Sequence, residues 1–462
     1  FMNKTQNIAI IDIGKTNIKI VLVNLNSFTE LIVLSEPNVV ANKGLYPHYD
    51  TDKLWKFIKS SLGTLYRRYS FEAITVTTHG AAVALIDKNG RLILPIIDYE
   101  FDGPDTLCKD YEKIRPNFKE TGTPKAPLGV VIGAQIFWQK KFFPHSFKSL
   151  KSIVTYPQYW VGLLTGKWCT EVSYLGCHSD LWLPFKNRFS SLVTHLEINN
   201  RIGSIRKAND IIGFTLPTIN EELGIKKFIP VYCGIHDSNA SLFRHLIEQN
   251  KPFSLVTTGT WVIIMSVGGE KKTFNPNKDI LINVDAFGNP VPSARFMGGR
   301  EFEIVTKNIS IKPTAVDITS VFNKSIFLFP ALVPQYGPFK GRESHWSISE
   351  NKINEGEKVV AVSYYLAMVT LVSLEALGAK GSIIIEGPFT RNKFYLDLMA
   401  TVLEADLYLS EGSLTGTSIG STLLINNNTS NLSKITKYDN PEGEYKQNLI
   451  NYSKKWKQLV DK

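Results

Sequence analysis

The sequence predicts an α/β fold in two domains, and two observations carry that prediction. Strand-like apolar runs alternate with helix-like periodicities through both halves, which is the pattern of layered α/β domains. The opening run "IAIIDIGKTNIKIVLV" also has a counterpart in "FSLVTTGTWVIIMSV", from Phe253, with the same succession of apolar strand, polar turn and apolar strand. At 462 residues, with 43% hydrophobic and 20% charged residues, the chain can fill two or three cores and is ordinary for a soluble globular protein.

In chain order, residues 8–35 read as strands. Ile18, Ile20 and Leu22 fall on one face, and the polar turn Asp12-Ile13-Gly14-Lys15-Thr16-Asn17 interrupts the run. Gly14-Lys15-Thr16 has the last three letters of a P-loop. However, Ala9 stands where that loop needs glycine, and a strand rather than a helix follows, so the P-loop reading fails. Two charges and two side-chain donors in one tight turn would still suit a metal–phosphate group. Thr51–Tyr69 reads as a helix with Asp52 near its start. Glu72–Ile86 reads as a strand pair with Thr78-His79-Gly80 between its halves, and Asp98-Tyr99-Glu100 is placed after a further strand. Pro157–Gly166 is a helix closed by a glycine, Phe228–Cys233 a strand, and Ser238–Gln249 an amphipathic helix.

The second sector opens with the Thr257-Thr258-Gly259-Thr260 hairpin. Val359–Leu377 approaches membrane length, but its Ser, Thr, Tyr and Glu residues mark it as a buried core helix. Ser382–Glu386 is a short strand and Asn392–Leu403 a helix. "EGSLTGTSIGSTLL" is a turn entering a short helix, and Tyr445–Val460 a surface helix. The domains are placed at 1–247 and 248–462.

The net charge of +10 is spread along the chain, which favours a solvated basic surface over a nucleic-acid groove and gives a field that draws anionic ligands. Cys108, Cys169, Cys177 and Cys233 form no CxxC pair, so a reduced, cytoplasmic protein without structural zinc is expected. Phe1-Met2 reads as a leftover with no signal peptide after it, and no membrane partner is expected.

Six motifs in sequence, spanning about residues 8–425, resemble the FGGY carbohydrate kinases of the actin/hexokinase/Hsp70 ATPase superfamily. They are Asp12-x-Gly14-x-Thr16-Asn17-x-Lys19, "YWVGLLTGKWCTEVSYLG" (159–176), "GIHDSNAS" (234–241), "TTGTW" (257–261), "IIIEGPFTRNKFYLDLMATVLEADL" (383–407) and "GTSIGSTLL" (416–424). The resemblance implies two ribonuclease-H-like (actin-like ATPase) domains around a central cleft, ATP and Mg²⁺ as cofactors, and a small sugar as substrate. It admits a homodimer.

The resemblance makes Asp237 the general base, where local sequence alone favours a helix cap. Asp12 becomes the metal ligand, acting through water. Gly14, Thr16, Asn17, Lys19, Thr258, Gly259, Thr260 and Gly298 are assigned to phosphate, and Gly387 and Asn392 to the adenosine region. His79, Gly80, Tyr99, Glu100 and His236, with Asp237, are assigned to the acceptor. Two residues depart from the pattern. Lys15 stands where relatives carry a hydroxyl, and Pro388 interrupts a run of glycines and removes an amide donor.

The expected acceptor is a ketose, either a pentulose or a 6-deoxyhexulose such as L-fuculose or L-rhamnulose. The alternatives are a polyol or sugar-acid kinase (glycerol, erythritol, gluconate), a catalytically silent sugar- or nucleotide-binding relative, and an actin- or chaperone-like ATPase. Retention of both Asp12 and Asp237 argues against the silent relative.

Overall fold

The computed structural model describes residues 7–410, 416–430, 432 and 434–461. Phe1-Met2 and residues 411–415 of the Gly/Ser/Thr-rich run lie outside the described residues. The chain forms two compact units. The first is Phe1–Glu248 with the later segments Ile282–Pro290 and Ser413–Leu432; the second is Gln249–Leu281, Val291–Gly412 and Ser433–Lys462. The division at residue 248 is therefore not a single cut, because two short segments return to the first unit.

In the first unit β1 (Asn7–Ile13), β2 (Asn17–Asn24) and β3 (Thr29–Pro37) form an antiparallel meander. β1 is buried along its whole length except for Asp12, which stays partly open, and this explains the nearly unbroken apolar run around a single carboxylate. Helix α1 (Thr51–Tyr69) follows, with Leu54, Ile58, Leu62 and Leu65 turned into the core. Its cap is Asp50, whose carboxylate accepts from Lys53 N at 3.0 Å, while Asp52 sits in the first turn.

Strand β4 (Ala73–Thr78) then pairs with β1 in parallel, placing Thr77 beside Asp12. The expected strand pair in Glu72–Ile86 is corrected here. β5 (Val83–Ile86) leaves the large sheet and pairs instead with β6 (Ser152–Thr155), because the chain turns through His79–Ala81 with Ala81 at φ 58°. Asp98–Glu100 likewise follow only an isolated bridge, His48 to Ile97, and not a strand. Helix α2 (Tyr156–Thr165) ends at Gly166 in the left-handed conformation, as its glycine predicts.

Strands β7 (Ile211–Phe214), β8 (Pro230–Tyr232) and β9 (Ile235–His236) complete the sheet, in the order β7-β8-β4-β1-β2-β3 with β9 also on β4. Because β1, β4 and β9 are parallel, Ile13, Thr78 and His236 end side by side, and helix α3 (Asp237–Glu248) leaves from that edge.

The second unit repeats this plan. The hairpin of β10 (Phe253–Thr258) and β11 (Val262–Val267) is flanked by antiparallel β12 (Pro290–Phe296) on one side. On the other side lie β13 (Ser382–Glu386), parallel to β10, and β14 (Leu407–Ser410), parallel to β13. Three antiparallel strands followed by parallel ones is the order of β3-β2-β1-β4-β8, so the repeated hairpin signal marks a repeated sheet.

Helices α4 (Gly298–Thr306), α5 (Glu355–Leu377), α6 (Lys393–Val402) and α7 (Gly416–Leu423) follow in the chain, α7 belonging to the first unit. Helix α5 passes through the second core, buried on nearly all sides. The final helix α8 (Gly443–Val460) is not a plain surface helix. Leu449, Tyr452 and Trp456, spaced three and four apart, are buried, and Trp456 Nε1 donates to Leu328 O at 2.8 Å.

Candidate active site

In the first unit the ends of β1, β4 and β9 bring Asp12, His79, His236 and Asp237 together, three of the four from different strands or the loops leaving them. Ligand sites outside the carboxyl ends of adjacent parallel strands are the usual arrangement of open α/β sheets. The turn after β1 is held by Gly14 N donating to Asn17 O at 2.9 Å. Asn38 braces it through Nδ2 to Gly14 O at 2.8 Å and N to Thr16 O at 2.9 Å. Thr16 and Asn17 are exposed at its tip. Lys19 lies opposite Asp12 in the β1–β2 register, so its charge is beside that carboxylate instead of free in solvent. Burial, and secondarily the charge of Asp237, push the Asp12 carboxyl up to about 7.

Asp237 opens helix α3. Its Oδ1 accepts from Ser238 N at 2.6 Å and lies 3.2 Å from His236 Nε2, with about a third of its side chain exposed. The amide Nδ2 of Asn239 stands 3.4 Å from His236 Nδ1. An amide can only donate there, so the consistent tautomer carries its hydrogen on Nε2, the ring atom beside Asp237. Burial keeps the His236 imidazole below its ordinary range and hence neutral. Gly80 packs against that ring so closely that a Cβ would lie 2.9 Å from Nε2.

His79 is buried among Tyr49, Tyr99 and Tyr156, with ring centroids 5.0, 5.6 and 5.3 Å away. Its Nδ1 bonds Gly80 O at 2.7 Å, and burial holds the ring down to about 4. A neutral imidazole donating from Nδ1 presents Nε2 as an acceptor, and that atom is buried without a partner among the described residues. Tyr174 locks the loop in place: its hydroxyl donates to His79 O at 3.0 Å and accepts from Ala82 N at 3.1 Å. Buried Glu171, whose carboxyl burial pushes up to about 7, caps the turn that carries Tyr174 by accepting from Tyr174 N at 3.0 Å. Glu100 is exposed, and Tyr99 stands between it and His79.

The second unit gathers Thr258, Gly259, Thr260, Gly298 and Gly387 around the β10–β11 turn. A Cβ on Gly299 would lie 2.0 Å from Gly259 O, and one on Gly387, which sits at φ +88°, 2.0 Å from Thr258 O. Thr260 is exposed. The Thr258 hydroxyl, in contrast, is committed internally, donating to Glu386 O at 2.6 Å and accepting from Phe389 N at 3.1 Å. Asn392 caps α6 by accepting from Tyr395 N at 3.1 Å and donates to Ser363 Oγ at 2.9 Å. Both residues therefore shape the turn and helix around them with bonds already made.

Sequence reasoning missed Tyr49, Tyr156, Tyr174 and Asn38, which supply the walls and braces. Only Tyr174 lay inside a quoted motif, and nothing local distinguishes it from a core tyrosine.

The family model described as "FGGY family of carbohydrate kinases, N-terminal domain" matches residues 7–244, and "Carbohydrate kinase FGGY, C-terminal domain" matches 250–433. An L-fuculokinase of Salmonella typhi is 22% identical over 283 residues, 58% of this chain and 58% of that protein, so the chain spans less than two thirds of that relative. A carbohydrate kinase from Novosphingobium aromaticivorans superposes with TM-score 0.90 at 28% identity, covering 99% of both chains. A ligand-bound xylulose kinase from Lactobacillus acidophilus gives 0.80 at 14%, covering 99% of this chain and 98% of that one, a likeness of fold.

Proposed function

The chain belongs to the FGGY family of carbohydrate kinases, and from that premise we propose that it transfers the terminal phosphoryl group of ATP to a primary hydroxyl of a small sugar. The acceptor we favour is a ketose, a pentulose or a 6-deoxyhexulose such as L-fuculose or L-rhamnulose. The relatives named L-fuculokinase and the "GIHDSNAS" motif support that choice. The observation that carries the reading is the meeting of Asp237, His236 and His79 on one strand-end edge with Asp12 beside the exposed Thr16–Asn17 tip.

Phosphoryl transfer asks a protein chiefly for positioning and charge neutralisation. Asp237 takes the proton of the attacking hydroxyl, and His236, neutral and with Nε2 3.2 Å from Asp237 Oδ1, packs beside its carboxylate. His79 Nε2 accepts a hydrogen bond from a second acceptor hydroxyl. Gly14, Thr16 and Asn17 offer amides and side-chain donors to phosphate oxygens. Gly259, Thr260 and the amides opening α4 at Gly298 offer the same in the second unit.

The residues fit magnesium bound with nucleotide. Asp12 is a single, partly open carboxylate, and no group of three or more His, Cys, Asp or Glu placed to hold a metal ion by themselves occurs among the described residues. A cation that brings phosphate and water as its other ligands suits such a site. When bound, Mg²⁺ supplies neutralisation of phosphate charge.

The test is ADP release measured over a panel of ketoses, polyols and sugar acids, with Asp237→Asn as the control. Stimulation by one acceptor, lost by about 10²–10⁴-fold in the variant while nucleotide binding persists, supports the reading. No stimulation by any acceptor sinks it.

A further inference from the structure

The side chain of Lys15 turns away from the tip formed by Thr16 and Asn17. Its ammonium forms an ion pair with Asp98 Oδ1 and reaches Glu100 Oε2 at 3.3 Å, on a segment 83 residues later in the chain. It also lies 4.9 Å from the Tyr99 ring centroid and 5.5 Å from that of Tyr49. Only 18% of the Lys15 side chain and 7% of the Asp98 side chain are exposed, so the pair is largely withdrawn from water. Tyr49 Oη donates to the same Asp98 oxygen at 3.2 Å, which anchors the carboxylate from a second side.

From Lys15 a continuous wall leads to the proposed base. Tyr99 meets His79 edge-on at 5.6 Å, the Gly80 backbone abuts His236, and His236 contacts Asp237. The wall is unbalanced in charge. The wall itself carries three carboxylates (Asp98, Glu100 and Asp237) against one cation (Lys15), and its two histidines are neutral. An ammonium has three N–H donors; Asp98 takes one of Lys15's in a hydrogen bond, and Glu100 lies 3.3 Å away as a second charge partner. That leaves donor capacity for a ligand.

We propose that Lys15 is a specificity-determining residue of the acceptor pocket and not a phosphate contact. Held between Asp98 and Glu100, it donates to a hydroxyl at the end of the acceptor remote from Asp237, and the surplus of carboxylates along the wall selects an uncharged polyhydroxylated acceptor over a sugar acid. This rests on the kinase reading above and sharpens its choice among neutral and anionic acceptors.

The test compares KM for the acceptor with KM for ATP in wild type, Lys15→Met, Lys15→Arg and the Lys15→Met/Asp98→Asn double variant, using ADP release. Wild type is expected to prefer a neutral ketose or polyol to gluconate. In Lys15→Met the acceptor KM should rise about tenfold or more while the ATP KM stays within about twofold, and Lys15→Arg should recover part of the loss. If Lys15→Met fails to fold because Asp98 is left unpaired, the double variant removes both charges and gives the same readout.

A rise in ATP KM without one in acceptor KM would make Lys15 a phosphate residue and overturn the proposal. So would unchanged constants for both substrates, or a wild-type preference for the sugar acid. If wild type responds to no acceptor at all, the kinase reading itself falls and this proposal falls with it. That outcome is distinct, because it appears before any variant is made.

Discussion

Replacing Asp12 by asparagine is expected to stabilise the metal-free protein, but only at neutral and alkaline pH. Burial, then the charge of Asp237, raises its carboxyl from 3.8 to about 7, against the opposing pull of Lys19. The native state thus holds the proton more tightly than the unfolded chain. The stability this group contributes is fully present below about pH 4 and is lost as pH rises through about 7. A shift of that size corresponds to about 4 kcal/mol at 1.36 kcal/mol per pH unit. Because the carboxyl stays partly open, water screens its charge, and about 2 kcal/mol is the expected effect.

Asparagine keeps the shape without the charge, so the melting temperature of Asp12→Asn should match wild type near pH 4 and exceed it by about 4–8 °C at pH 8. Thermal unfolding followed by fluorescence in a chelator, from pH 4 to pH 8.5, measures this directly. Magnesium with nucleotide should then narrow the gap, since only wild type offers it a carboxylate. A variant no more stable than wild type at pH 8, or one that gains equally at all pH values, would refute the reasoning.

Three further predictions concern positions outside that carboxylate. Gly420→Ala would place a Cβ 1.7 Å from Ala240 O, where α7 crosses α3, and should cost about 3 kcal/mol or more, read as a lowered midpoint in chemical denaturation. His79 should remain neutral down to about pH 5, because burial holds it near 4; a histidine resonance at this position titrating between pH 6 and 7 in an NMR titration contradicts the placement. His79→Gln, which keeps an acceptor, should retain more activity in the ADP-release assay than His79→Phe.

What could be read from the sequence was what local physics decides. The β-branched runs around Asp12 and Thr258 are strands, the periodicity of Thr51–Tyr69 is a helix with those bounds, and Gly166 closes its helix. Family-like motifs also pointed to Asp12 and Asp237, and a place at the end of a strand pointed to His79; the sheet brings all three to one edge. What was hidden depends on partners far along the chain. Val83–Ile86 has the right composition for a strand, but its partner begins at Ser152. The spacing of Leu449, Tyr452 and Trp456 was visible, yet the lysines around it hid that one face is buried. Lys15 offers the sharpest case, since the sequence marks it only as a departure from the family pattern, and the partner that explains it, Asp98, lies 83 residues away. Gly420 has a packing role at Ala240 in addition to its place in a motif.

The parallel pairing of β1, β4 and β9 also has a bearing on how the chain folds. The meander β1–β3 can form from neighbours, but Asp12 meets Thr77 only after α1 is laid down, and Thr78 meets His236 only after most of the first unit has been made. Contacts of such long sequence separation form late, since the intervening chain must be ordered before they are rewarded. A nascent chain ending before residue 236 therefore holds Asp12 and His79 but lacks His236 and the proposed base, however complete its meander. Protection of the amide of His79, which donates to Ile13 O, is expected to appear with the global folding step and not before it.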